Sequence, residues 1–192
     1  MKSLVLIDFD HTLLKKDSLP LFIRFSVSRS ERSIAFFRLI PSLVRCCFTR
    51  DRGEMKRKLI IKCFKNKTKS QLEEKAIEFV GHLDRMEQYR VEIMEDMKNH
   101  VQKGDDVCIV SGSADLWMKP WTDKYSVGLL STRLAWKEGH VVDFDGKNCV
   151  REEKVERIKK MFDLKSYQEI VVYGNNGSDD AMLSLATKKH VY

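Results

Sequence analysis

Two rhythms of apolar and polar positions run along the chain. Leu4-Val5-Leu6-Ile7 is an unbroken apolar stretch that stops at Asp8. Val107-Cys108-Ile109-Val110 stops in the same way at Ser111-Gly112-Ser113, and Ile170-Val171-Val172-Tyr173 stops at Gly174-Asn175-Asn176-Gly177-Ser178-Asp179. Short continuous runs rich in β-branched residues mark strands buried on both faces, as in a parallel sheet. Each run opens into small and polar residues, and ligands of open α/β sheets bind outside the carboxyl ends of the strands. Those strand ends are the first place to look for chemistry.

The intervals carry a helical rhythm. Apolar residues at 91, 94, 97 and 101 predict a helix over 87–101 that Gly104 would end. Val155, Ile158, Met161 and Phe162 give a similar stripe ahead of the third strand, and residues 179–186 predict a helix beginning at the third polar cluster. Residues 129–136 and 141–144 flank Glu138-Gly139 and predict a hairpin. Between about 15 and 96 the chain reads as helical throughout: 33–48, 54–64 and 70–83 each suit an amphipathic helix, with Pro20, Pro41 and Gly53 as punctuation. This segment is expected to be a helical domain inserted after the first strand, standing over the active edge of the sheet.

Composition narrows the class. Of 192 residues, 43% are hydrophobic and 33% charged, with 9 Gly and 3 Pro, which excludes disordered, collagenous and low-complexity chains. The net charge of +7 is unevenly spread. Residues 15–69 hold 16 Lys and Arg against four acids, a balance of +12, leaving 19 basic and 24 acidic residues elsewhere, a balance of −5. A basic insert in a mildly acidic frame fits an anionic surface or substrate, and equally a solvated helical face. Five cysteines without a C-x-x-C pair argue against a disulfide framework or zinc site and for a reducing cytoplasm. The N-terminal apolar run meets Asp8 before the h-region of a signal peptide could form.

The sharpest chemical signal is Asp8-Phe9-Asp10-His11-Thr12, directly after a strand. Two carboxylates at this spacing can divide the work of a displacement. Asp8 could attack phosphorus to give an aspartyl-phosphate, and Asp10 could protonate the leaving oxygen and then deprotonate water. Like charges this close call for a cation, and hard carboxylate oxygens favour Mg²⁺. An Asx-turn at a strand end is the plainer reading of a single Asp. His11, His82, His100, His140 and His190 share no spacing suited to a metal, and the tryptophans (117, 121 and 136) read as core and hairpin packing. Basic residues are not interleaved with exposed aromatics, so no nucleic-acid partner is expected.

Four motifs in order resemble those of the haloacid dehalogenase superfamily of phosphatases and phosphotransferases. Asp8-Phe9-Asp10-His11-Thr12 is similar to its D-x-D-x-T signature, and Ser111-Gly112-Ser113 to its second motif. Lys154 resembles the third-motif lysine, and Gly174-Asn175-Asn176-Gly177-Ser178-Asp179 resembles the fourth motif, G-D-x-x-x-D. The helical insert places the chain near subfamily IB, which includes phosphoserine phosphatase-like enzymes and phosphatidylglycerophosphatase C. The resemblance implies an α/β fold: a Rossmann-like doubly wound parallel sheet core (1–14 and 97–192) with an inserted all-helical cap (15–96). It also implies a Mg²⁺-dependent phosphomonoester hydrolase. Asp8 would be the nucleophile, Asp10 the general acid/base and Lys154 the charge-neutralising cation. Ser111 and Gly112 would bind phosphate, and Asp8, Asp10, Asn175 and Asp179 would hold the metal. Taken singly, Ser111-Gly112-Ser113 could be a strand-to-helix loop with a Ser capping a helix near Ala114, and Lys154 a surface lysine.

Two positions depart from the family pattern. Asn175 stands where the fourth motif usually has Asp, so one anionic ligand becomes neutral. Arg151 stands where a small residue is usual. The resemblance leaves the substrate open between a small-molecule and a lipid phosphate monoester. A weakly active or inactive relative, recruited through its basic cap to an anionic membrane, is the alternative. Arg38, Pro41 and Arg45 exclude a membrane-spanning helix over 33–48, which could instead lie at a membrane interface or pack Phe36, Phe37, Leu39 and Leu43 inside the cap.

Overall fold

A computed structural model describes residues 2–37, 39 and 52–192. Five parallel strands form the central sheet in the order β3-β2-β1-β6-β7: β1 (Ser3–Ile7), β2 (Asp106–Ala114), β3 (Gly128–Thr132), β6 (Glu169–Gly174) and β7 (Lys188–Val191). Strand β1 is central, with Leu4 paired to Asp106 of β2 on one side and to Ile170 of β6 on the other. The chain fills the sheet outward from β1 in both directions, so the crevice at its carboxyl end is the expected ligand site.

The apolar runs are continuous because both sheet faces are covered. Val5, Ile7, Val107, Ile109, Val171 and Tyr173 join one cluster, whereas Leu4, Leu6, Cys108, Val110, Ile170 and Val172 join the other. The first face is packed by α5 (Val91–Lys103) and α6 (Asp115–Tyr125), the second by α7 (Glu152–Met161) and the single turn α8 (Asp180–Leu183). This is the expected doubly wound α/β core.

Between β1 and α5 lie α1 (Ser18–Ser26), α2 (Arg29–Phe37), α3 (Arg52–Phe64) and α4 (Lys69–Arg85). Phe22 of α1 stacks on Trp117 of α6, with ring centroids 5.1 Å apart, and meets Phe64 and Phe79 edge-on. The apolar centre of the inserted helices is thereby continuous with one face of the sheet. Helix α5 runs across position 97, where the boundary between insert and core was expected, and packs on β2.

Several elements differ from expectation. Residues 129–132 belong to the parallel edge strand β3. The hairpin is made by β4 (Leu134–Lys137) and β5 (His140–Phe144) alone, turning through Glu138 and Gly139 at φ of 52° and 77°. Strand β2 continues through Ser111-Gly112-Ser113, expected as the polar cluster beyond the strand's end, with a register shift between Ser111 and Ala114. The helix expected over 179–186 is only one turn. Helix α2 begins four residues before the helix expected at 33–48, of which 38 and 40–48 lie outside the described residues. Leu39 is buried, but Phe36 and Phe37 are 51% and 76% exposed and do not pack inside the insert.

Candidate active site

Strand β1 hands over to the site without losing its register. Asp8 N–H still donates to the Tyr173 carbonyl at 2.9 Å. The chain then turns back: His11 takes a left-handed φ of 64°, Leu13 N–H donates to Asp8 O and Leu14 N–H to Phe9 O. Phe9 anchors the turn edge-on against Trp121, at 5.1 Å between centroids. Asp8 and Asp10 are thereby held at the carboxyl edge of the sheet.

Asp8 does not face water. It is 5% exposed, and Lys154 Nζ lies 2.6 Å from Asp8 Oδ1 and 2.6 Å from Asp179 Oδ1. One buried ammonium thus serves two carboxylates. Burial pushes the Asp8 carboxyl up to about 6 despite the adjacent Lys154 charge, with Asp179 and Asp10 adding to the rise. Lys154 is itself deeply buried, which opposes its charge, but the two carboxylates hold its pKa above the ordinary lysine value. The other oxygen of Asp179 accepts the Asn175 N–H at 3.0 Å. Gly174 makes this closeness possible, because a Cβ there would lie 2.9 Å from Asp179 Cβ.

Asp10 is held apart from this triad. Its Oδ1 accepts the Ser18 backbone N–H at 2.7 Å and its Oδ2 the Ser113 hydroxyl at 2.5 Å. Ser111 is fully buried, and its hydroxyl accepts the Ser113 N–H at 3.0 Å. Gly112 lies against the 148–150 segment, where a Cβ would come within 2.8 Å of Val150 Cγ1. Its carbonyl accepts Thr132 Oγ1 at 2.8 Å and Lys56 Nζ at 2.7 Å.

Lys56, on α3, and Asp17 were not anticipated here. Asp17 caps α1 by accepting the Leu19 N–H, and burial and the Asp10 charge raise its carboxyl above the usual range. Burial lowers the Lys56 ammonium from the ordinary lysine value, against the pull of Asp10 and Asp17. Both lie within electrostatic range of Asp10 and of each other. A signal for Lys56 was present: it lies on the stripe that carries Ile60, Cys63 and Phe64, all buried, and a lysine breaking an apolar stripe needs a reason.

Asn175 completes the floor. Its Nδ2 lies 3.5 Å from the Asp10 carbonyl and 3.4 Å from Thr12 Oγ1, and its Oδ1 accepts the Ser178 hydroxyl at 2.6 Å. Among the described residues no three His, Cys, Asp or Glu side chains converge as metal ligands.

Residues 5–184 match the family model of the haloacid dehalogenase-like hydrolases. The chain belongs to that family. Among its relatives, Protein CicA of Caulobacter vibrioides is 31% identical over 189 residues, spanning 97% of this chain and 84% of CicA. A Bordetella pertussis protein described as of unknown function shares the fold with a TM-score of 0.78 at 20% identity, covering 98% of this chain and 89% of its own. A phospho-aspartyl intermediate analogue of phosphoserine phosphatase aligns with a TM-score of 0.59 at 19% identity, covering 98% and 85%.

The donor set of this haloacid dehalogenase-like site fits a hard divalent cation. The Asp8 carboxylate and the Asp10 backbone carbonyl are oxygen donors at one edge, whereas Asn175 turns its amide nitrogen to that carbonyl and its Oδ1 to Ser178, so its oxygen would reach a cation only after the amide turns over. The Asp10 carboxylate is engaged by Ser18 and Ser113, which leaves its main-chain oxygen facing Asn175. Asp179, bound through both oxygens to Lys154 and Asn175, would reach a cation only by exchanging a partner.

Proposed function

We propose that this hydrolase is a Mg²⁺-dependent phosphomonoesterase working through an aspartyl-phosphate on Asp8. The observation that carries the reading is Asp8 itself: a buried carboxylate at the end of the central strand, oriented by Lys154, with the separately held Asp10 two residues on. An Asp8 oxygen attacks phosphorus while the ester P–O bond breaks, and Asp10 supplies the proton to the leaving oxygen. Water then attacks phosphorus and gives its proton to Asp10, the Asp8–phosphorus bond breaks, and inorganic phosphate leaves. Lys154 neutralises charge as the transition state develops, and Ser111 with Gly112 borders the phosphoryl group. Mg²⁺ would be held by Asp8, the Asp10 carbonyl and, once its amide turns over, Asn175, with Asp179 behind them, and would supply charge neutralisation. The phospho-aspartyl intermediate analogue of phosphoserine phosphatase, a protein of the same fold, supports this chemistry. Residues 15–90 act as the cap, and an insert at this place fits subfamily IB.

The substrate is a phosphate monoester with charge near the leaving group, since Lys56 and Asp17 flank the approach. A panel of such esters, with a lipid phosphate in micelles and inclusion of Mg²⁺ or EDTA, tests the activity. Asp8→Asn is expected to abolish turnover and BeF₃⁻ binding. Wild-type turnover by Asp8→Asn would refute the mechanism. The free cysteines at 63, 108 and 149 fit a reducing cytoplasm.

One observation favours a second property, peripheral contact with an anionic membrane. Ile34, Phe36 and Phe37 of α2 are exposed within the basic insert, and among the described residues no helix is long and apolar enough to cross a membrane. Co-sedimentation with anionic against neutral liposomes at low and high salt decides it. Equal binding to both, or none, removes it.

A further inference from the structure

The Asp10 carboxylate is reached from inside the protein by a line of donors drawn from three distant elements. Trp117 Nε1 of α6 lies 3.0 Å from Ser18 Oγ at the start of α1. Ser18 Oγ lies 2.9 Å from Ser113 Oγ of β2, and Ser113 Oγ lies 2.5 Å from Asp10 Oδ2. All three side chains are buried, Ser18 and Ser113 completely.

Elementary hydrogen-bond rules set the direction of this line. An indole N–H can only donate, and a hydroxyl has one hydrogen to give. Ser18 accepts from Trp117 and gives its hydrogen to Ser113, and Ser113 gives its own to Asp10. With the line reversed, the Ser18 hydroxyl would accept twice and its hydrogen would point at no acceptor in a dry interior, an arrangement that proteins avoid. The other Asp10 oxygen accepts the Ser18 backbone N–H at 2.7 Å, a donor that cannot turn round either.

We infer that Ser18, Ser113 and Trp117 are positioning residues that fix the plane of the Asp10 carboxylate for its exchange of a proton with substrate and water. This rests on the acid/base role given to Asp10 above. The line holds and does not conduct: its far end is an indole, which has no lone pair to accept a proton. The ring of Trp117 is set by its stack on Phe22, with planes 23° apart, so the indole N–H aims at Ser18 through packing on the insert. Acid/base catalysis depends on such placement, and small misplacements are costly to rate and nearly silent in binding.

The test uses the full chain and a phosphate monoester that it hydrolyses, comparing Trp117→Phe and Ser113→Ala alone and each combined with Asp10→Ala. Trp117→Phe removes the N–H and keeps an aromatic ring against Phe22. Each single substitution is expected to lower kcat by about tenfold with KM changed less than about twofold. In the Asp10→Ala background the same substitutions are expected to leave the residual kcat unchanged, because there is no carboxylate left to hold. A merely structural defect would multiply through both backgrounds. Equal losses in the two backgrounds, or a wild-type kcat for both single variants, would overturn the inference. Wild-type turnover by Asp10→Ala would instead overturn the acid/base role on which it rests. Melting temperatures recorded alongside separate loss of folded protein from loss of rate.

Discussion

Lys154 and Lys56 both place an ammonium near the end of β1, and they are treated oppositely. Lys154, from the core, lies between Asp8 and Asp179 at 2.6 Å from each, so its charge is more than matched. Lys56, from the insert, donates to the neutral carbonyl of Gly112 at 2.7 Å, and its carboxylate neighbours act on it only through space. A charge already matched holds a nucleophile in place. A charge resting on a carbonyl remains available to an incoming anion. On the proposed mechanism the core would carry the reaction, and the insert would decide what may approach.

Removing Lys154 should break the comparison most severely. Lys154→Met leaves two buried carboxylates facing each other, and unpairing a buried charge of this kind costs about 3–5 kcal/mol. Urea unfolding at pH 7.5 should show that loss. It should shrink as the pH falls towards 4, because burial already holds the Asp8 carboxyl at about 6, above its unfolded value, and without Lys154 it regains its proton and loses its penalty. Lys56→Gln should leave stability nearly unchanged and raise KM by about tenfold, the worth of one charge-assisted hydrogen bond, with kcat little altered. An equal fall in kcat would place Lys56 in the reaction itself.

Smaller effects sharpen the picture around Lys154. Arg151, at φ 51° and ψ −123°, occupies a conformation that L side chains avoid, immediately before α7. Arg151→Gly should relieve strain of about 1 kcal/mol and raise the melting temperature by about 2–4 °C. Asn175→Asp adds a charge beside the Asp10 carbonyl and should lower the Mg²⁺ concentration for half-maximal activity several-fold. An unchanged Mg²⁺ requirement would mean that Asn175 does not reach the ion.

Much of the core was legible because its signals are local. Asp8, Ser111 and Asp179 each follow an apolar run, and buried parallel strands announce themselves by unbroken hydrophobicity. Strand β7 escaped because Lys188-Lys189-His190-Val191 is a polar edge strand without such a run. Residues 129–132 read as a hairpin arm because an edge strand beside β2 has the same short apolar pattern. Ser18 and Lys56 escaped for a different reason: they matter through contacts to Ser113 and Gly112, far along the chain, and Lys56 lies inside the run Lys56-Arg57-Lys58. The positive φ at 151 is a matter of backbone geometry, which an arginine does not advertise.

The stack of Phe22 on Trp117 also bears on how this protein could have diversified. Trp117 is almost wholly buried, and the aromatic cluster around Phe22 extends without a gap from the inserted helices to the sheet. Excising the insert would strip the apolar cover from α6. The helices therefore cannot behave as an exchangeable module, and their amides should exchange with solvent cooperatively with those of α6. New substrate preferences would have to arise by point substitution on the inner surface of the insert, at positions such as 17 and 56, with the shared aromatic seam left intact.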